Sequence, residues 1–364
     1  MRTTIAYIEV GNLKHNLDVI QKAAGNAALL AIVKANAYGH GINEVAKHIS
    51  EQVHSFGVAF VEEGISLRNS GITNPVVVLV PDINDAVHYC DYRLQPAVSN
   101  IEFLKVLSAA ASRKKTKVKV HLYIDTGMRR DGIYPETALD FFNEVNQLPY
   151  IEISGLLSHF ATSSTDLGFA KRQYIEFQKV IKEFTAGGIK FEYVHLSNSR
   201  GVFNLPEASF NMIRTGLALY GYPQDKETLE KFDLKPVLSL KSTVISTRRI
   251  QKGDLVGYDA VFVADKPTNI ATIPIGYGDG YLKSLQGKAQ CLINGKRYSI
   301  VGTICMDESM VDTGDDVVCA GDEVVLIGEQ GNEKILANEL ASKAGTIIYD
   351  VLTAIAARVP RVYL

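Results

Sequence analysis

The sequence predicts a (β/α)8 TIM-like barrel of the α/β class followed by a smaller all-β C-terminal domain. Three observations carry this expectation. Eight short β-rich runs alternate with helical patterns through the first two-thirds of the chain. Near residue 230 the pattern changes to strand after strand separated by turn residues. The length, 364 residues, exceeds what one ordinary core serves, so a large domain plus a smaller one fits it.

The first two-thirds opens on a helical stretch, GNLKHNLDVIQKAAG (11–25). It is placed to fill the last gap in an outer helical ring, because the segment after the eighth strand is short. The β runs are LLAIVK (29–34), SFGVAF (55–60), VVVLV (76–80), LQPAVS (94–99), VKVHLYID (118–125), IEISGLLSH (151–159), FEYVHLSN (191–198) and FNMIRTG (210–216). Stretches such as NIEFLKVLSAAASRKK (100–115) and KRQYIEFQKVIKEF (171–184) carry apolar residues at helical spacing between them. A doubly wound sheet is the competing architecture, and eight strands favour closure. From Lys231 onward KFDLKPVLSLKSTVISTRRI begins a strand-rich region punctuated by KGD, KPTN, NGK and GDE. One helix, ILANELASKAG (335–345), interrupts it. The expected domains are therefore 1–230 and 231–364, with residues 1–10 a candidate to pair with the second.

The bulk numbers exclude several classes. A net charge of -2 gives nothing to recruit nucleic acid or an anionic membrane. Cys90, Cys291, Cys305 and Cys319 lie far apart without CxxC spacing, against zinc and a disulfide framework and in keeping with a reducing cytosol. MRTTIAYIEV has no apolar signal region, and PVVVLV is too short to span a bilayer. The chain is expected to be cytoplasmic. A cytosolic piece of a larger membrane protein would read the same.

Barrel enzymes keep their sites at the C-terminal ends of the strands. Lys34 ends the first run and Arg130 follows the fifth. His159 ends the sixth, His195, Asn198 and Ser199 the seventh, and Arg214, Gly216 and Leu217 the eighth. Each has an ordinary reading: Lys34 a first solvated residue, His159 a satisfied core histidine, Arg214 a partner for a carboxylate. Their coincidence on one rim favours a site. Loops after strands seven and eight are the usual phosphate position of such barrels, and small residues there free backbone N–H groups for an anion. A lysine beside a phosphate site implies a phosphorylated aldehyde cofactor, pyridoxal 5'-phosphate (PLP), as electron sink. No GxGxxG follows the first strand, no HExxH or Cys/His cluster suggests a metal, and no GxSxG suggests an acyl-serine route.

VKANAYGHG, DTGMRRDG, LLSHFAT, HLSNSRG, IRTGLALYG, VGYDAVF, IPIGYGDGY, VGTICMD and TIIYDV together resemble, in order, segments of the bacterial alanine racemases across nearly the whole chain. The resemblance implies L- to D-alanine conversion supplying cell-wall peptidoglycan, by two bases. Lys34 would carry PLP and act as one base. Tyr258, from the other subunit of a homodimer, would be the opposite base. Tyr38, Ser199, Gly216, Leu217 and Tyr349 would hold the phosphate, with Asn198 beside them. His159 would pack by the ring, and Arg214 would face the pyridine nitrogen with His195 behind it. Arg130 and the Met306 backbone would hold the substrate carboxylate, and Tyr277 and Asp307 would line the site or its entrance. Many family members have a carbamylated lysine where this chain has Tyr123, which brings no carboxylate charge to orient Arg130. Rival readings are a serine or serine/alanine racemase domain of a vancomycin-resistance system, a PLP-dependent amino-acid decarboxylase, and a non-catalytic PLP carrier.

Overall fold

The computed structural model describes residues 2–163, 165–222 and 232–364. The chain forms two compact units, one of residues 13–37 and 42–235, the other of residues 1–12, 38–41 and 236–364. The expected domain boundary at 230 and 231 lies outside the described residues.

The first unit is the closed barrel. After β1 (Ile5–Ile8), its strands are β2 (Ala28–Ile32), β3 (Ser55–Val58), β4 (Val76–Val78), β5 (Leu94–Val98), β6 (Val118–Tyr123), β7 (Ile151–Leu157), β8 (Tyr193–His195) and β9 (Met212–Thr215). All pairings are parallel, and β9 closes on β2 with Ala28 opposite Met212. All eight expected runs are strands, and each stops short of the run's C-terminal end. Lys34, Asp125, His159 and Asn198 thereby leave the ladder and stand in the turns and loops after it, which is how a barrel presents chemistry at its rim.

Helix α1 (Val10–Ala24) buries Leu13, Leu17 and Ile20 at helical spacing. Its buried Asn16 donates to the carbonyls of Leu219 and Lys235 and accepts from Lys235 N–H, so α1 lies on the short segment after β9. The remaining barrel helices are α2 (Ile42–Ile49), α3 (Val61–Asn69), α4 (Ala86–Asp91), α5 (Ile101–Lys114), α6 (Ala138–Asn146), α7 (Leu167–Ala186) and α8 (Ser199–Asn204). Asn100 caps α5 and Asp166 caps α7 through side-chain acceptors, as their residue types favour.

The second unit is a β domain. Its main sheet contains β10 (Leu238–Thr243), β11 (Ser246–Ile250), β14 (Thr268–Ile273), β15 (Gln290–Ile293), β16 (Lys296–Val301), β17 (Ser309–Gly314) and β18 (Glu323–Gln330), with β19 (Glu333–Ile335) paired to β18. β1 joins this sheet, antiparallel to β10 and parallel to β20 (Arg361–Tyr363). Asn294 and Gly295, both at positive φ, make the two-residue turn between β15 and β16. The anticipated helix is α9 (Ala337–Ala344). A second, α10 (Ile348–Ala354), was not anticipated, because seven residues beginning in Ile-Tyr show too little helical period to read. Strands β12 (Leu255–Val256) and β13 (Phe262–Val263) form a separate ribbon that carries Tyr258 between them. No helix among the described residues is long and apolar enough to cross a membrane.

Candidate active site

Lys34 stands two residues beyond β2, at the mouth of an unusual turn. Ala35, Asn36, Ala37 and Tyr38 follow it with φ of 51°, 54°, 53° and 52°. Left-handed backbone costs an L-residue roughly 1–2 kcal/mol each, so four in succession need external support. Three hydrogen bonds supply it. Glu63 accepts from Ala35 N–H at 2.6 Å, Asn36 Oδ1 accepts from Ile42 N–H at 2.9 Å, and Ala37 N–H donates to Val33 at 2.8 Å. The Lys34 ammonium is pushed below its ordinary pKa, first by burial and then by the Arg130 charge, with Glu63 opposing. A lysine so placed is more readily a neutral amine.

Arg214, on β9, is buried beneath this rim. Its Nη1 donates to His195 Nδ1 at 2.9 Å and to the His195 carbonyl at 3.0 Å. Its Nη2 reaches the Ser158 carbonyl, the Leu196 carbonyl and His159 Nδ1. Nε has no acceptor among the described residues. Burial lowers the Arg214 pKa to about 10, with Tyr123 opposing and Arg130 reinforcing, so the group stays cationic at neutral pH.

This donor fixes the histidines behind it. A guanidinium can only donate, so His195 Nδ1 must accept and its Nε2 must carry the proton. Nε2 of His195 lies 2.9 Å from His121 Nδ1, which therefore accepts, and His121 Nε2 donates to Gln95 Oε1 at 3.1 Å. His159 likewise accepts at Nδ1 and carries its proton on Nε2. Burial holds His121 neutral, with its pKa lowered to about 3, and drives His159 and His195 well below the usual value, Arg214 adding to both. The register makes room for this chain. Gly155 faces His121 across β6 and β7, and a Cβ there would lie 2.0 Å from His121 Nδ1.

The loop after β6 is folded by Asp125, which accepts from the N–H groups of Gly127 and Arg129 and from the Arg129 side chain. Burial alone would raise the Asp125 carboxyl, but these bonds hold it below its usual range. Arg130, exposed beyond them, makes no hydrogen bond or ion pair among the described residues. Tyr123 is 5% exposed in a small apolar cluster with Ala97 and Leu157, and its hydroxyl has no hydrogen-bond partner among the described residues. It does not bond Arg130.

After β8, Asn198 caps α8 by accepting from Arg200 and Gly201 N–H. The Ser199 hydroxyl accepts from Gly216 N–H at 2.8 Å and from Ala218 N–H at 3.3 Å, joining the two loops expected to meet a phosphate, with Leu217 between them.

The β domain holds the other expected residues. Tyr38 and Tyr349 are in ring contact at 5.6 Å. Glycines let the GYGDGY and ICMD segments close together: a Cβ on Gly276 would meet the Cys305 carbonyl at 2.2 Å. Gly278 N–H donates to the Met306 carbonyl, and Arg358 Nη2 reaches the same oxygen and Asp307 Oδ1. Buried Asp279 ties Arg358 to Arg2 and accepts from Gly276 N–H. Tyr277 is half-exposed. Tyr258 follows Gly257 (φ 77°) and precedes Asp259 and Ala260, also left-handed. Thr303 bonds its carbonyl at 3.0 Å, while the side chain is 68% exposed.

Glu63, His121, Gln95, Asp279 and Arg358 are polar participants that the sequence reading left out. His121 was visible in principle: it precedes Tyr123 by two in VKVHLYID, so both point from the same side of a strand.

These features define a class, a (β/α)8-barrel enzyme with a lysine and a buried arginine–histidine chain at its rim and a β domain contributed by the same chain. The N-terminal alanine racemase domain matches residues 8–224 and the C-terminal alanine racemase domain residues 237–363. An alanine racemase of Carboxydothermus hydrogenoformans is 40% identical, over 100% of both chains. The solved alanine racemase of Bacillus anthracis, with bound L-Ala-P, superposes with a TM-score of 0.94 at 32% identity, covering 100% of this chain and 95% of that one. One from Clostridium difficile 630 gives 0.94 at 33%, covering 100% and 96%. The chain belongs to the alanine racemase family.

Proposed function

We propose that the chain interconverts L- and D-alanine with PLP, using Lys34 and Tyr258 as opposed bases. The observation that carries the reading is Lys34 on its braced left-handed turn, its pKa depressed, beside the Arg214–histidine chain. The serine/alanine, decarboxylase and carrier alternatives are not favoured by full-length relatives named alanine racemase.

The donor set fits PLP. Arg214 has every N–H but Nε engaged by protein acceptors, which suits one remaining bond to a pyridine nitrogen. A cationic donor there keeps that nitrogen an unprotonated acceptor. Ser199, Gly216 and Leu217, with Tyr38 and Tyr349, would hold the phosphate, Asn198 shaping the loop, and His159 would lie by the ring. When bound, PLP withdraws the electron pair left at the α-carbon.

Lys34 would take or return the proton on one face of that carbon. Tyr258 would do so on the other, because one fixed side chain cannot reach both faces of a planar centre. By resemblance Lys34 serves D-alanine and Tyr258 L-alanine. Arg130 and the Met306 backbone would bind the substrate carboxylate, and Tyr277 and Asp307 would border the entrance. Since Tyr123 does not bond Arg130, the substrate carboxylate itself would complete that guanidinium's pairing.

The homodimer belongs to this reading. Tyr258 stands exposed among Leu255, Val261 and Val263, each at least half-exposed, beside an open hollow of about 310 Å³ lined in part by Ile250, Leu255, Ile270 and Met310. Apolar side chains clustered this way mark a covered surface, and a second copy bringing its own barrel rim is the proposed cover. The test is incubation with PLP and each L-amino acid, followed by chiral analysis. D-alanine formation is expected. Turnover of L-serine and not L-alanine, or carbon dioxide release, would overturn the reading.

A further inference from the structure

Glu63 has an ordinary task and a second one. It is the third residue of α3, whose N-cap, Phe60, offers no side-chain acceptor. Oε2 of Glu63 accepts from the N–H groups of Ala59 at 2.7 Å and Phe60 at 3.3 Å, closing the start of its own helix as an acidic residue at that position does. Oε1 does not serve α3. It crosses to the strand-one loop and accepts from Ala35 N–H at 2.6 Å. Ala35 is the residue after Lys34 and the first of four left-handed residues in a row. Through this bond Glu63 ties down the entry of the turn.

We propose that Glu63 is a positioning residue for Lys34: one carboxylate oxygen anchors α3 and the other pins the left-handed turn that aims the Lys34 amine. The inference rests on reading Lys34 as the cofactor-bearing base. The Glu63 charge also opposes the lowering of the Lys34 pKa by burial and Arg130. A base that must both take and return a proton needs such a counterweight.

Two variants separate the carboxylate's parts. In Glu63→Gln the amide has one acceptor oxygen, and its NH2 must face an N–H donor, so either the Ala35 bond or the two bonds to Ala59 and Phe60 are lost together with the charge. Glu63→Asp keeps the charge on a shorter arm that cannot span both elements. Two measurements on the cofactor-free protein read the outcome. Amide hydrogen exchange at residues 35–37 should quicken by about tenfold or more in both variants relative to the other barrel amides. The Lys34 pKa, followed by NMR after reductive 13C-methylation, should fall in Glu63→Gln and fall less in Glu63→Asp. In the loaded enzyme kcat should drop with KM little changed, because substrate contacts stay intact. If a folded Glu63→Gln, or Glu63→Asp should the former not fold, left exchange at 35–37 and the Lys34 pKa as in wild type, the proposal would be overturned. A Lys34→Ala protein that kept its cofactor band would instead overturn the base assignment, so the two failures are distinguishable.

Discussion

The two proposed bases stand on the same kind of backbone and in opposite surroundings. Lys34 leads into a left-handed turn, and Tyr258 sits within one. The Lys34 turn is stitched into the barrel by Glu63, Asn36 and Val33, with Ala37 and Tyr38 buried. The Tyr258 turn is fixed at its carbonyl by Thr303 and by the close approach that Gly257 permits, where a Cβ would meet Met310 at 2.9 Å. Beyond that carbonyl its side chain leaves the fold. The difference teaches that strain alone does not make a finished site. The lysine turn is braced within its own barrel, whereas the tyrosine side chain has no such bracing beyond its carbonyl, and the proposed second copy would supply it.

The largest expected effect comes from breaking the finished half. Lys34→Ala should abolish the visible band of the cofactor-loaded enzyme and lower turnover on the order of 1000-fold or more, as loss of a positioned base and covalent anchor does. A retained band in the absorption spectrum would refute the assignment.

The unfinished half is tested by mixing. Lys34→Ala and Tyr258→Ala chains, each inactive, should regain activity after subunit exchange. Half the dimers are then hybrids with one intact site of two, so roughly a quarter of wild-type sites return. Sedimentation showing a fully active monomer would contradict this.

The buried histidines set the next effect. His121 has a folded pKa of about 3, below its ordinary value near 6.5. Between those values the unfolded chain binds a proton that the folded chain does not, so stability falls as pH drops through this window. The stability present above pH 6.5 should decline by about 2 kcal/mol at pH 5 from His121 alone, with His159 and His195 acting in the same direction. Denaturant unfolding at pH 7 and 5 measures it. A flat profile would mean that these rings are already charged in the native barrel. The smallest effect concerns Tyr123: bicarbonate depletion should leave the racemisation rate unchanged, since no lysine stands there, and a clear dependence would show that another lysine takes the role.

The same contrast explains what the sequence disclosed. Every barrel strand was legible because buried parallel strands read as apolar runs. Lys34, His159 and Arg214 were legible as rim positions because they lie at or near the ends of such runs. Glu63 and Gln95 were not. Each lies on an element of unremarkable pattern, and its role depends on a partner 28 or 26 residues away that only folding brings near. The left-handed turn was hidden too, since Asn36 alone among its first three residues favours such backbone and the flanking Ala35 and Ala37 do not. Tyr258 had meaning only through the family segment VGYDAVF, and its exposure could not be read from that segment.

The central claim, that each base serves one face, is tested most directly by exchange of the α-proton. In deuterated solvent Tyr258→Phe should still exchange the α-proton of D-alanine through Lys34 and should lose exchange from L-alanine. Equal residual exchange from the two enantiomers would contradict the division of labour between the braced lysine and the exposed tyrosine.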